Sequence, residues 1–154
     1  MLLAHLGVAV FVAGVTLVKG YEAEKDVRMQ PGDTVELAGR QFAMEKIEPV
    51  RGPNYEAARA TITVTREGTR LATLLPEKRI YSVQQMPMTE AAIESGLSGD
   101  LYVSLGERLD DGAWVVRVQH KPFVDWIWGG CVLMALGGLL AASDRRYRVA
   151  VDRD

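Results

Sequence analysis

The chain has a single cysteine, Cys131, so no internal disulfide can brace it. Its two histidines, His5 and His120, are too few for a tetrahedral His/Cys metal cluster. Aromatic residues make up 7% of the sequence, and the formal net charge is only -2. With no basic stripe interleaved with aromatics, nucleic acid is excluded as an expected partner. There is no phosphate-cradling glycine loop, no Ser/His/Asp set, no internal repeat and no low-complexity stretch. Charge is also missing locally: residues 1–18 and 126–143 contain no Asp, Glu, Lys or Arg.

Those two gaps carry the main signal. A bilayer core of roughly 30 Å requires about 17–25 apolar residues in a helix. The first run is interrupted only by His5 and Thr16, and the second opens on Trp126 and Trp128, an interfacial aromatic belt. Two transmembrane helices are therefore expected, at residues 1–19 and 125–143. The first lacks both a basic leader and a small-x-small cleavage site, so it reads as a retained span rather than a signal peptide. Arg145, Arg146, Arg148 and Arg153 in the tail, residues 144–154, place that tail in the cytoplasm by the positive-inside rule. Both termini are then cytoplasmic, and residues 20–124 form a domain outside the inner membrane, in the periplasm of a Gram-negative-type cell. Met1 already lies inside the apolar run, which reads as a chain cut from something longer. Cys131, within the second run, reads as a small buried hydrophobe.

The intervening segment is expected to be all-β. Ala58, Ala60, Ile62 and Val64 alternate with Arg59, Thr61, Thr63 and Thr65, the period of a half-buried strand. Glu67-Gly68 turns into a strand at 70–75, and Asp110-Asp111-Gly112 joins strands at 101–109 and 114–119. A short strand at 34–37 precedes another at 41–47, and Gly52-Pro53-Asn54 is a loop. Only 88–94 reads as a helical turn. Short strands at this spacing build a small barrel or sandwich. Glu22, Glu24 and Asp26 read as a solvated edge strand, and Glu77, Lys78 and Arg79 as a surface ion cluster.

His5 is the residue that chemistry singles out. An ionisable group in a span is costly, and it faces either a protein interior, a functional site or the interface. Two readings stay open on the residues alone: an imidazole snorkelling to the cytoplasmic face, about 6 Å of helix rise from Met1, or a neutral imidazole ligating iron, with Ala9 one turn away leaving room for a flat macrocycle. His120, just outside the second span near Lys121, is a weaker candidate. It lies near the opposite face of the membrane from His5, so the two histidines cannot ligate a single iron within one chain. Gly7 and Gly14 on the first helix, and Gly130, Met134, Gly137, Gly138 and Ala141 on the second, are expected to let helices approach closely.

The order of motifs resembles the carboxy-terminal portion of the CcmF family of cytochrome c-type biogenesis proteins, membrane subunits of a bacterial heme lyase. The matching stretches run from Ala4-His5-Leu6-Gly7 through Glu24-Lys25-Asp26-Val27-Arg28-Met29, Pro31-Gly32-Asp33 and Gly52-Pro53-Asn54-Tyr55. Glu77-Lys78-Arg79, Thr89-Glu90-Ala91-Ala92-Ile93 and Asp100-Leu101-Tyr102 follow. Lys121-Pro122-Phe123-Val124, Trp126-Ile127-Trp128, Leu136-Gly137-Gly138 and Arg145-Arg146-Tyr147-Arg148 complete the series.

The resemblance implies heme attachment to apocytochrome c outside the cytoplasmic membrane. It implies an intramembrane heme b with His5 as one axial ligand of its iron, the second ligand coming from outside this chain. It also implies electron delivery from quinol and a periplasmic surface for the heme chaperone, apocytochrome c or other cytochrome c maturation subunits. The family's tryptophan-rich segment and its other heme-binding histidines have no counterpart in this sequence, and His120 matches no family ligand, so it is expected to be a surface residue. The chain is then expected to be a fragment or a split-gene product that works with the upstream part of the same subunit, without a complete catalytic centre of its own. The alternatives are a two-span anchor carrying a periplasmic protein-binding module without heme, and a dimer binding heme between two copies of His5.

Overall fold

The computed structural model describes residues 2–83, 85–96 and 99–143; the basic tail that sets the expected orientation lies outside the described residues. The chain divides into two compact units, one formed by the segments before Glu22 and after Lys121, the other by Glu22–Lys121.

The first unit is an antiparallel pair of helices, α1 (Leu2–Tyr21) and α2 (Val124–Ser143), each 20 residues long. At 1.5 Å per residue each is about 30 Å long, enough to cross a bilayer core. Neither helix is held by ordinary apolar burial: Leu6, Val8, Val12, Leu136, Leu139 and Leu140 are all exposed. The buried positions are instead Gly7, Gly14 and Val18 on α1 and Gly130 and Gly137 on α2. Helices whose buried residues are glycines meet backbone to backbone, as membrane helices do when lipid removes the hydrophobic drive between them. Tyr21, which ends α1, and Phe123, which precedes α2, pack edge to face at 5.8 Å.

The second unit is a β-sandwich. One sheet has the order β1 (Ala23–Met29), β10 (Trp114–Lys121), β9 (Asp100–Arg108), β8 (Ala92–Glu94). The other has the order β2 (Thr34–Leu37), β3 (Arg40–Arg51), β4 (Tyr55–Arg66), β6 (Glu77–Tyr81), β7 (Pro87–Glu90), with β5 (Thr69–Leu74) also paired to β4. Alternation along β4 delivers Ala60, Ile62 and Val64 to the interior, where Phe42 and Met44 of β3 join them. Met29, Val103, Leu105, Val116 and Val118 come from the facing sheet, so each contributes an inner face to one core. Ala23 pairs with His120, so the two ends through which this unit joins the helices are neighbours at one end of its first sheet.

The expected strands at 34–37, around 58–64, 101–109 and 114–119 are present, and Gly52-Pro53-Asn54 connects β3 to β4. The helical turn expected at 88–94 is a correction. Residues 87–90 pair with β6 in one sheet and 92–94 with β9 in the other, with Ala91 between them. A strand that changes sheets reads as neither clean period, because each half buries a different face. Glu24 and Asp26 do lie on an exposed edge strand, where Asp26 binds Arg117 through two hydrogen bonds of 2.7 and 2.8 Å.

Candidate functional site

α1 determines where His5 points. Ala4, Gly7, Phe11 and Gly14 recur at three- and four-residue spacing and lie against α2. At about 100° per residue, His5 falls about 140° around the axis from the mean of that line, on the face shared with Ala9, Val12 and Thr16. The side chain is exposed accordingly, as are Ala9, Val12 and Thr16. His5 therefore does not look into the α1/α2 seam. Thr16 closes its hydroxyl onto the Val12 carbonyl at 2.9 Å, which leaves His5 the side chain on that face with metal-ligating chemistry.

An imidazole nitrogen occupies one axial position of an iron, and a small residue one turn along the helix leaves space beside it for a planar ring. The surroundings of His5 fit one side of a heme on those grounds. They supply one ligand and no more. His120, the other histidine, lies in the β-sandwich, where it is 8% exposed and continues the inward face of Val116 and Val118. Its expected place at the surface is thereby corrected; the signal was the run Trp114, Val116, Val118, His120 at every second residue. No cluster of three or more His, Cys, Asp or Glu able to hold a metal ion exists among the described residues.

The seam itself is tight. A β-carbon added at Gly137 would lie 2.7 Å from the Ala4 Cα, and one at Gly130 would lie 2.5 Å from the Phe11 nitrogen. At Gly7 it would lie 2.5 Å from the Met134 nitrogen, and at Gly14 2.8 Å from that of Ile127. Gly138, expected on the same stripe, is exposed with nothing within 4 Å of an added β-carbon, so it lies off the seam. Cys131 is a free thiol, half-buried in this helix pair.

Within the sandwich, Glu77 is not part of a surface cluster. It is 4% exposed, and Arg59 and Arg79 each hold one of its oxygens, the latter at 2.6 Å. Burial alone would raise its carboxyl pKa; the hydrogen bonds from Arg79 and Arg59 outweigh that and hold it below the usual carboxylate range. Arg79 also stacks on Tyr55, 4.4 Å from the ring centroid. A shallow groove of about 380 Å³ is lined by Pro49, Val50, Ala57, Ile80 and Trp114 among others. Trp114 lines it next to the register shift that separates Trp114 from Val116 in the β10–β9 pairing. Trp114 begins β10 and Lys121 ends it, so the groove sits at the opposite end of that strand from the residues that lead to α2.

Comparison with known proteins follows the same division. Residues 20–122 match the family described as the CcmF C-terminal beta-sandwich. A cytochrome c-type biogenesis protein CcmF of Pseudomonas aeruginosa is 56% identical over 151 residues, covering 98% of this chain and 23% of that protein. The CcmF of Escherichia coli K12 is 48% identical over the same share of each. A solved structure of a cytochrome c heme lyase CcmF aligns with a TM-score of 0.75 at 17% identity, over 93% of this chain and 24% of that one, a likeness of fold. The chain thus spans about a quarter of the length of the proteins it matches. With the family's sandwich matched from one helix to the other, and relatives about half identical across almost every residue, the chain belongs to the CcmF family of cytochrome c-type biogenesis proteins.

Proposed function

We propose that this chain is the carboxy-terminal part of an inner-membrane heme lyase for cytochrome c maturation, in which His5 is one axial ligand of an intramembrane heme b. The observation that carries this reading is the orientation of His5. It stands exposed on a span, on the face away from α2, where a ligand or helix supplied by the upstream part of the subunit has access to it. The relatives, cytochrome c-type biogenesis proteins, and the structural neighbour, a heme lyase, support the setting. Heme b supplies a one-electron couple in the bilayer when bound, with quinol as the proposed reductant. His5 holds one coordination position, and the glycine seam holds His5.

The sandwich is, in this reading, a periplasmic docking domain, with both chain termini cytoplasmic. The Trp114 groove supports the docking role: it is apolar-floored and lies at the end of β10 away from the helix connections. The heme chaperone, apocytochrome c and other maturation subunits are the partners it would serve. A two-span anchor with the same docking domain and no heme is the competing account.

Reduced-minus-oxidised absorption spectra separate the two. The chain is purified in detergent with and without the co-expressed upstream portion, each as wild type, His5→Ala and His120→Ala. Heme b bands that require both pieces, persist in His120→Ala and disappear in His5→Ala are expected. Bands that survive in His5→Ala contradict the ligand role; absence of heme from every well-assembled sample favours the anchor account.

A further inference from the structure

We infer that Gly137 is a positioning residue for His5: it fixes the height and rotation of the first turn of α1, and so the direction of the imidazole. This rests on His5 being the axial ligand proposed above. The argument comes from one backbone contact. A β-carbon at Gly137 would lie 2.7 Å from the Cα of Ala4 and 2.9 Å from its Cβ, and closer still to its amide nitrogen. Real β-carbons do not approach backbone so closely, and backbone cannot step aside as a flexible side-chain end can. Any side chain at 137 must therefore displace α1 at Ala4, and His5 is the next residue along that chain.

The other α2 glycine in the seam does not have this address. Gly130 is as tight, with its added β-carbon 2.5 Å from the Phe11 nitrogen. Phe11 is six residues beyond His5, however, about 9 Å along the helix. Gly14 meets Ile127 still farther away, and Gly7 lies under the side chain and amide of Met134. Gly138 and Gly129 flank the seam residues but meet nothing within 4 Å. The four α2 glycines thus form a matched set: tight and next to His5, tight and distant, and two open controls. Axial imidazole orientation tunes the electronic structure and potential of an iron, so a small tilt at Ala4 has a readout that helix packing alone does not have.

The test uses the chain co-expressed with the upstream portion, as Gly137→Ala, Gly130→Ala, Gly138→Ala and Gly129→Ala. Heme content, ferric low-temperature electron paramagnetic resonance g-values and midpoint potential are read for each, with thermal stability of the complex as the structural control. Gly137→Ala is expected to keep heme at reduced occupancy while shifting both g-values and potential. Gly130→Ala is expected to lose comparable stability with wild-type g-values, and the two open controls to match wild type throughout. Should Gly137→Ala fail to assemble, the pair Ala4→Gly with Gly137→Ala, which removes only the Ala4 Cβ contact and keeps the closer backbone ones, is read in its place with the same expectation. Wild-type g-values and potential in an assembled Gly137 variant, or equal spectral shifts in Gly130→Ala, overturn the assignment. Heme retained unchanged in His5→Ala would instead overturn the underlying ligand reading, so the two failures are distinguishable.

Discussion

Arg59 and Glu77 form an ion pair in which the carboxylate is 5% exposed and the guanidinium 32%, with Arg79 closing on the other carboxylate oxygen. The pair joins β4 to β6, strands that are neighbours in the second sheet. A carboxylate this buried is tolerable only with both oxygens satisfied, so its loss leaves two cations without their shared anion. Glu77→Ala is expected to destabilise the sandwich by about 2–3 kcal/mol, at the lower end of the range for buried pairs because both arginines reach solvent. Urea denaturation of the detergent-solubilised chain, followed by the circular dichroism of the β-sheet, measures it.

The same pair predicts an acid dependence. The folded carboxyl lies below its ordinary value, so its contribution is fully present above the unfolded pKa of about 4.3 and is lost as pH falls through the lower folded value. The stability difference between wild type and Glu77→Gln is therefore expected to be constant from pH 7 to about pH 5 and to shrink below that. A difference that grows on acidification would contradict the assignment.

Two hairpins carry a non-glycine residue where the backbone is left-handed. Ala38 has φ 50° and Glu67 has φ 51°, each followed by a glycine at positive φ, in the two-residue turns β2–β3 and β4–β5. Such turns require positive φ at both positions, which Asn accepts and Ala or Glu resists. Ala38→Asn and Glu67→Asn are each expected to raise stability by about 0.5–1 kcal/mol, additively because the turns share no partner. Thermal unfolding of the single and double variants checks both magnitude and additivity.

Core packing gives a further contrast. Phe42 is 0% exposed at the centre of the sandwich, whereas Ile93 is 59% exposed on β8. Phe42→Ala is expected to cost about 3–5 kcal/mol and Ile93→Ala well under 1 kcal/mol.

Much of this architecture is legible in the residues themselves. The charge-free runs give α1 and α2 because a bilayer leaves so few ways to satisfy backbone polar groups. Ala60-x-Ile62-x-Val64 and the Glu67-Gly68 and Asp111-Gly112 turns give the main strands because period and turn chemistry are local. Where long-range pairing decides, local pattern fails. Residues 87–94 split between two sheets. Glu77 sits in a charged triplet that looks solvated until Arg59, 18 residues earlier, is folded beside it. Gly138 shares a composition with Gly137 but not a direction, since one residue is about 100° of helix. The face of His5 follows from helical period once α2's glycines are known to occupy the other side; the second ligand leaves no trace here, because it is proposed to come from outside this chain.

Direct evidence for ligation comes from chemical replacement of the imidazole. The chain carrying His5→Gly, co-expressed with the upstream portion, is examined by ferric low-temperature electron paramagnetic resonance with and without added imidazole. Loss of the low-spin signal in His5→Gly, and its return when imidazole enters the vacated space, is the predicted result. An unchanged low-spin signal in His5→Gly without imidazole would contradict the central claim that this histidine is an axial ligand.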